Sequence, residues 1–227
     1  IVYLAFAIGG VNVLFLYTSF LDGDYYGLIT FLFSAANLLM PLTAFGVQYT
    51  IIKFYSSYEN KIERDKFLCL ALVLPLFIVI PFGFLGTIFY EQLSLFLSQK
   101  NPIIKEYTYI IFLIALATAY FEIFYAWSKV QLKSVFGNFI KEMYNRLAVM
   151  ILLFFVYFEF ISEAEFIYYL TGAYFLRLFL MMLYAFKLYV PKITFVLPSN
   201  YKDIFKYSLY IILAGSAGAI LLDIDKV

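Results

Sequence analysis

Apolar runs of membrane-crossing length recur along the chain, separated by short polar connections. They lie at residues 3–21, 26–52, 67–90, 107–128, 143–161, 165–186 and from 207 onward. A helix needs about 20 mostly apolar residues to cross a bilayer. The pattern therefore predicts an all-α fold: a polytopic membrane helix bundle of six transmembrane helices plus the start of a seventh. The fifth run is the shortest, with uncharged residues only between Arg146 and Glu159.

Polar positions inside these runs follow helical spacing. Lipid offers no hydrogen bonds, so such residues turn toward the bundle interior or a hydrated cavity. In the second run Thr30, Ser34, Asn37, Pro41, Ala44 and Gln48 fall on one stripe at three- and four-residue steps. Pro41 and Gly46 are expected to bend or loosen that helix. Thr118, Glu122, Tyr125 and Lys129 form a second stripe in the fourth run. Asn12 and Ser19 share a face of the first, and Thr171, Tyr174, Arg177, Met181 and Tyr184 a broader arc of the sixth. The third run holds Pro75, Pro81, Gly83 and Gly86 without charge, and should be kinked. Small and polar residues also form dry helix–helix contacts in membranes, so single Ser, Thr and Asn positions are read first as packing.

Composition removes the soluble alternatives. Hydrophobic residues make up 65% of the chain and charged residues 14%, against roughly 45–50% and 25% in a soluble domain. A net charge of +1 gives no reason to expect nucleic acid as a partner. There is no histidine and a single cysteine, Cys69. Histidine-based catalysis, HExxH-type zinc sites, cysteine metal sites and intrachain disulfides are all excluded, and no cofactor is expected. Residues 1–21 lack the basic flank and cleavage site of a signal peptide. A chain that is apolar from Ile1 and ends without a polar tail reads as a piece of a longer protein.

Charge sets the orientation. The connections after the second, fourth and sixth runs hold Lys53, Lys61, Arg64, Lys66, Lys129, Lys133, Lys141, Arg146, Lys187, Lys192, Lys202 and Lys206. The other three hold only Lys100 and Lys105 beside Asp22, Asp24, Glu91, Glu106, Glu159, Glu163 and Glu165. The positive-inside rule then places the N-terminus in the cytoplasm. Three segments follow: a six-helix bundle over 1–190, a cytoplasmic linker over 191–206, and the start of a seventh helix over 207–227. Pro191 and Pro198 break helix in that linker.

Two charges fall well inside the runs. Glu122 or Arg177 at the bilayer centre would cost at least roughly 2.5–3.5 kcal/mol. They either pair with each other or line a hydrated path, and the spacing leaves both open.

The second run and its flanks carry Tyr26-Gly27, Pro41-Leu42, Phe45-Gly46 and Lys53-Phe54-Tyr55, and the chain closes on GSAGAILLDIDKV. These residues, with the overall hydropathy layout, resemble the oligosaccharide flippases (Wzx-like polysaccharide biosynthesis transporters). That family belongs to a superfamily with the lipid II flippases and the multidrug and toxin extruders. The resemblance implies two pseudo-symmetric bundles around a central cavity in the bacterial cytoplasmic membrane. Undecaprenyl-pyrophosphate-linked repeat units would cross it by alternating access. It further implies a polysaccharide polymerase and other assembly proteins as partners, and basic cavity residues that meet the pyrophosphate. Lys53 and Lys226 are the motif-matched cations, and Arg177 is a third by position. Asn12, Asn37 and Gln48 would supply polar contacts in the cavity. Surrounding membrane lipids would hold the polyprenyl tail.

Two other functions stay open at this stage. A drug or metabolite exporter of the same superfamily would couple to H+ or Na+ through membrane carboxylates, here Glu122, Asp223 and Asp225. An integral membrane glycosyltransferase would use a DxD pair, Asp22 with Asp24 or Asp223 with Asp225. The second pair is about 200° apart on a helix and cannot hold one metal from the same face. Asp223 and Lys226, three residues apart, can pair instead.

Overall fold

The computed structural model describes residues 2–223, with side chains described through Gly215. Every regular element among the described residues is helical. Helix α1 (Val2–Phe20) is followed by α2 (Gly23–Thr43), α3 (Val47–Phe54), α4 (Lys61–Val73), α5 (Leu76–Ile88) and α6 (Tyr90–Leu97). Next come α7 (Ile104–Lys129), α8 over residues 134–157, α9 (Glu163–Leu188) and α10 (Tyr201–Asp223). Five stretches are long and apolar enough to cross a membrane: α1, α2, the α4–α5 pair, α7 and α9.

Helix α7 is the axis of the bundle. It is apolar on nearly every side, and 67% of its most apolar stretch is buried, as expected of a helix enclosed all round. Helices α2, α3 and α9 pack around it. One core gathers at the Lys129 end of α7, where Phe67, Phe121, Trp127 and Met181 are fully enclosed. A second gathers at its other end around Leu28, Leu32, Ile110, Leu153 and Phe166. Helix α5 is the opposite case. It buries none of its residues, and Phe77, Ile80, Phe82 and Phe84 all stand exposed. An apolar surface of that kind is matched by hydrocarbon rather than water.

Side-chain caps start two of the helices. Ser162 accepts from the Glu165 amide while Glu165 accepts from the Ser162 amide, a capping box that starts α9. Asn60 caps α4 through the Ile62 amide. Pro75 lies in the break between α4 and α5, whereas Pro81 lies within an unbroken α5.

Three boundaries correct the sequence reading. The second run is not one helix: Phe45 and Gly46 both take positive φ, at 52° and 65°, and turn the chain into α3. The predicted stripe is thereby divided, with Thr30 through Pro41 on α2 and Gln48 on α3. The fifth helix starts at Ser134 rather than near 143, and ends at Tyr157. Lys141 and Arg146 therefore sit inside a helix, not in a connection. Helix α10 starts at Tyr201, so Lys202 and Lys206 are helical and the linker shortens to residues 189–200.

That linker is pinned to the start of α4. The Tyr58 hydroxyl donates to Asn200, and the Tyr189 hydroxyl donates to Asp65. The Ser199 amide donates to Glu63 Oε2 at 2.9 Å, and the Arg64 guanidinium lies 5.0 Å from the Tyr189 ring centroid. Burial pushes the Tyr58 hydroxyl up to about 12, with the Asn200 bond pulling the other way. Both tyrosines stay neutral donors at physiological pH.

Candidate functional site

Two helices of the bundle depart from α-helical winding. In α1 the segment Asn12–Leu16 is π-helical, and in α8 so is Ile140–Tyr144. Helix α1 packs against the π segment of α8. A π-bulge adds a residue to one turn and re-aims side chains, and such bulges gather at functional sites.

Asn138, Lys141, Glu142, Asn145 and Arg146 of α8 have the spacing of one helix face. From that face they meet three neighbours. Lys141 reaches α7 and forms an ion pair with Glu122 at 2.7 Å. The Tyr125 hydroxyl of α7 donates to Asn138. Asn12 of α1 donates from Nδ2 to the Arg146 carbonyl at 2.8 Å. The crossing of α7 and α8 depends on Gly137, where a Cβ would lie 2.3 Å from the Tyr125 ring.

A cavity of about 550 Å³ opens between α1, α2, α8 and α9, bounded by Asn12, Tyr17, Phe33, Asn145, Arg146 and Tyr174. Its polar lining is not self-satisfied. Asn12 Oδ1, Asn145 Oδ1 and Arg146 Nη1 are buried without a hydrogen-bond partner among the described residues. The Arg146 stem lies over Gly9, where a Cβ would be 3.2 Å from its Cδ and Nε. Its only carboxylate neighbour within ion-pair range among the described residues is Glu142, at 3.7 Å.

Arg177 stands on the other side of Tyr174. Its side chain is buried, and its guanidinium lies 4.7 Å from the Tyr174 ring centroid and 4.2 Å from that of Phe121. Aromatic faces attract a cation but supply no hydrogen-bond acceptor for the fork. Nε is unpartnered, and no carboxylate of the described residues forms an ion pair with Arg177. Glu122 pairs with Lys141 instead, so the mutual pairing of Glu122 and Arg177 that the spacing allowed is not formed. Lys129 adds a fourth cation, its ammonium 3.9 Å above the Tyr125 ring. The cluster thus holds Lys129, Lys141, Arg146 and Arg177 against Glu122 and Glu142, an excess of positive charge inside a lipid-matched bundle.

No family model matches the chain, and no characterised protein or solved structure is significantly similar to it. The functional reading therefore rests on the site.

Among the residues singled out from the sequence, Asn12, Glu122 and Arg177 converge on this cluster. Lys53 does not. Its ammonium lies 3.8 Å above the Tyr207 ring and 5.4 Å from that of Phe54, in a separate cleft with Asp203 and Lys206. Gln48 is buried on α3 with Oε1 unpartnered, and Asn37 is exposed on α2. The Asp223 side chain lies outside the described side chains, and Asp225 and Lys226 outside the described residues. Arg146 and Asn145 are the functional residues that sequence reasoning missed. The available signal was the i, i+3, i+4, i+7, i+8 spacing from Asn138 to Arg146, which is helical rather than loop-like.

Proposed function

We propose that this bundle carries an oligosaccharide, joined through pyrophosphate to a polyprenyl lipid, across the bacterial cytoplasmic membrane by alternating access. The observation that carries the reading is a pair of arginines, the buried Arg177 and the half-buried Arg146, on either side of Tyr174 beside a cavity whose amide oxygens have no hydrogen-bond partner among the described residues. An uncompensated guanidinium in lipid is costly, and an anionic headgroup offsets that cost through charge-assisted, bidentate hydrogen bonds. The unpartnered Asn12 and Asn145 oxygens accept sugar hydroxyls. The polyprenyl tail stays in the bilayer, and no bond is made or broken.

In this reading six helices cross the membrane and α10 is the seventh. Helix α8 crosses despite its charges because Lys141 pairs with Glu122 of α7 and Arg146 borders the cavity, while Ile151, Phe154 and Phe155 are exposed toward lipid. Its length of about 36 Å at 1.5 Å per residue is sufficient. The linker over 189–200 and the start of α4 are cytoplasmic, as is the N-terminus.

The orientation is tested with single cysteines in a full-length Cys69→Ser background. Lys61→Cys is expected to resist a membrane-impermeant maleimide added to intact cells, and Phe160→Cys, an exposed position, to react. The reverse pattern would overturn the topology. The activity is tested by deleting the gene. Cells are expected to lose their surface glycan and accumulate lipid-linked oligosaccharide, both restored by the wild-type gene. Unchanged surface glycan would reject the flippase reading. Export of a drug or metabolite that depends on Glu122 would identify the ion-coupled exporter in its place.

A further inference from the structure

A second cavity, of about 420 Å³, lies at the linker end of the bundle. Leu70, Leu74 and Phe77 of the α4–α5 junction form one wall. Leu197 of the linker, with Phe205 and Leu209 of α10, forms the other. The lining is almost wholly apolar, yet Lys202 and Lys206 stand at its edge, one helical turn apart. Neither lysine forms an ion pair among the described residues. Their aliphatic stems line the slot while the charged ends remain outside it, the arrangement by which lysine spans an apolar–polar boundary.

The linker fixes where that boundary lies. Ile193, Phe195 and Val196 are exposed at 86%, 94% and 61% on an irregular segment held in place by Tyr58, Glu63 and Asp65. Large apolar side chains projecting from pinned, non-helical chain, with Lys187 and Lys192 before them and Lys202 after, match the headgroup layer of a membrane. Lys202 and Lys206 then stand at phosphate depth, and the slot beneath them runs into the hydrocarbon.

We propose that this slot binds an anionic phospholipid, its acyl chain between the α4–α5 junction and α10 and its phosphate on Lys202 and Lys206. Charge complementarity selects the headgroup, since a zwitterionic lipid brings its own cation against the two lysines. The proposal depends on the membrane reading of the helices and not on the flippase activity, so either can fail alone. A lipid held there would join α10 to the α4–α5 junction.

Native mass spectrometry of the purified full-length protein, titrated with phosphatidylglycerol or phosphatidylcholine, tests it. Wild type is expected to retain phosphatidylglycerol preferentially, and Lys202→Gln/Lys206→Gln to bind it about thirty-fold more weakly, from the usual attraction per lysine at an anionic surface. Leu74→Trp, which fills the slot and leaves both lysines, should also lower retention. Millimolar inorganic phosphate should displace little of the lipid. Equal retention of the two lipids by wild type, unchanged binding in the double variant, or full displacement by phosphate would overturn the proposal. If the glutamine variant does not fold, Lys202→Ala and Lys206→Ala measured singly give the same reading, each expected to weaken binding about five-fold.

Discussion

Full-length protein carrying Arg146→Ala is expected to reach the membrane at near wild-type abundance and to leave cells almost without surface glycan. The fold tolerates this change because the link between α1 and α8 runs through the Arg146 backbone: Asn12 Nδ2 donates to its carbonyl oxygen. Alanine keeps that bond. What is lost is a guanidinium whose Nη1 has no partner among the described residues and whose contact with Glu142, at 3.7 Å, is long. A spaced pair of this kind on one helix contributes only a few tenths of a kcal/mol. A charged hydrogen bond to a phosphate is worth about 1.5–3 kcal/mol, so substrate affinity should fall roughly ten- to hundred-fold. Arg146→Lys keeps the charge but not the fork, and should give an intermediate loss. Quantitative glycan blots beside immunoblots of the same membranes check the result. Equal loss of protein and glycan would assign Arg146 a structural role.

Gly46→Val is expected to have the largest effect on stability. The chain turns from α2 into α3 through two successive positive-φ residues, Phe45 and Gly46. Phe45 is buried and meets Phe205 of α10, with ring centroids 5.5 Å apart. At Gly46 two penalties coincide. A β-branched residue at φ 65° is a steric outlier, and its Cβ would stand 2.8 Å from the Ser208 carbonyl oxygen. Strain of about 1–3 kcal/mol adds to overpacking of similar size. Relief requires α10 to move away, which also breaks the buried Thr50–Ser208 hydroxyl pair at 2.8 Å. The variant should lose its folded form in detergent well below the wild-type temperature, with proteolysis opening first near residues 201–208. Wild-type stability in Gly46→Val would mean that α10 does not pack on this corner.

Both predictions rest on features that the sequence revealed unequally. Hydropathy alone located every long apolar helix, because the length of a membrane span and the rarity of charge within it are strong, local constraints. The inward arc on α9 was also legible: Thr171, Arg177 and Met181 are buried, and Tyr174 and Tyr184 half-buried. The turn at Phe45–Gly46 was legible only through its glycine, since nothing in a phenylalanine announces a left-handed backbone. The greater error lay in α8. Counting charges by loop placed Lys141 and Arg146 in a connection, whereas both lie within α8. Their actual positions follow from partners on other helices, Glu122 for one and the α1 π segment for the other, and such tertiary pairings leave no local mark. The same rule shifted Lys202 and Lys206 out of α10.

The central claim is that the arginine-flanked cavity moves an anionic, lipid-linked glycan. Its most direct test is transport by purified full-length protein in proteoliposomes. The substrate is a pyrophosphate-linked polyprenyl oligosaccharide placed in one leaflet, and its arrival in the other is read by an impermeant glycosidase. Wild type is expected to move the substrate far faster than protein-free vesicles, and Arg146→Ala and Arg177→Ala to slow it at least ten-fold. Equal rates for wild type, both variants and empty vesicles would contradict the claim.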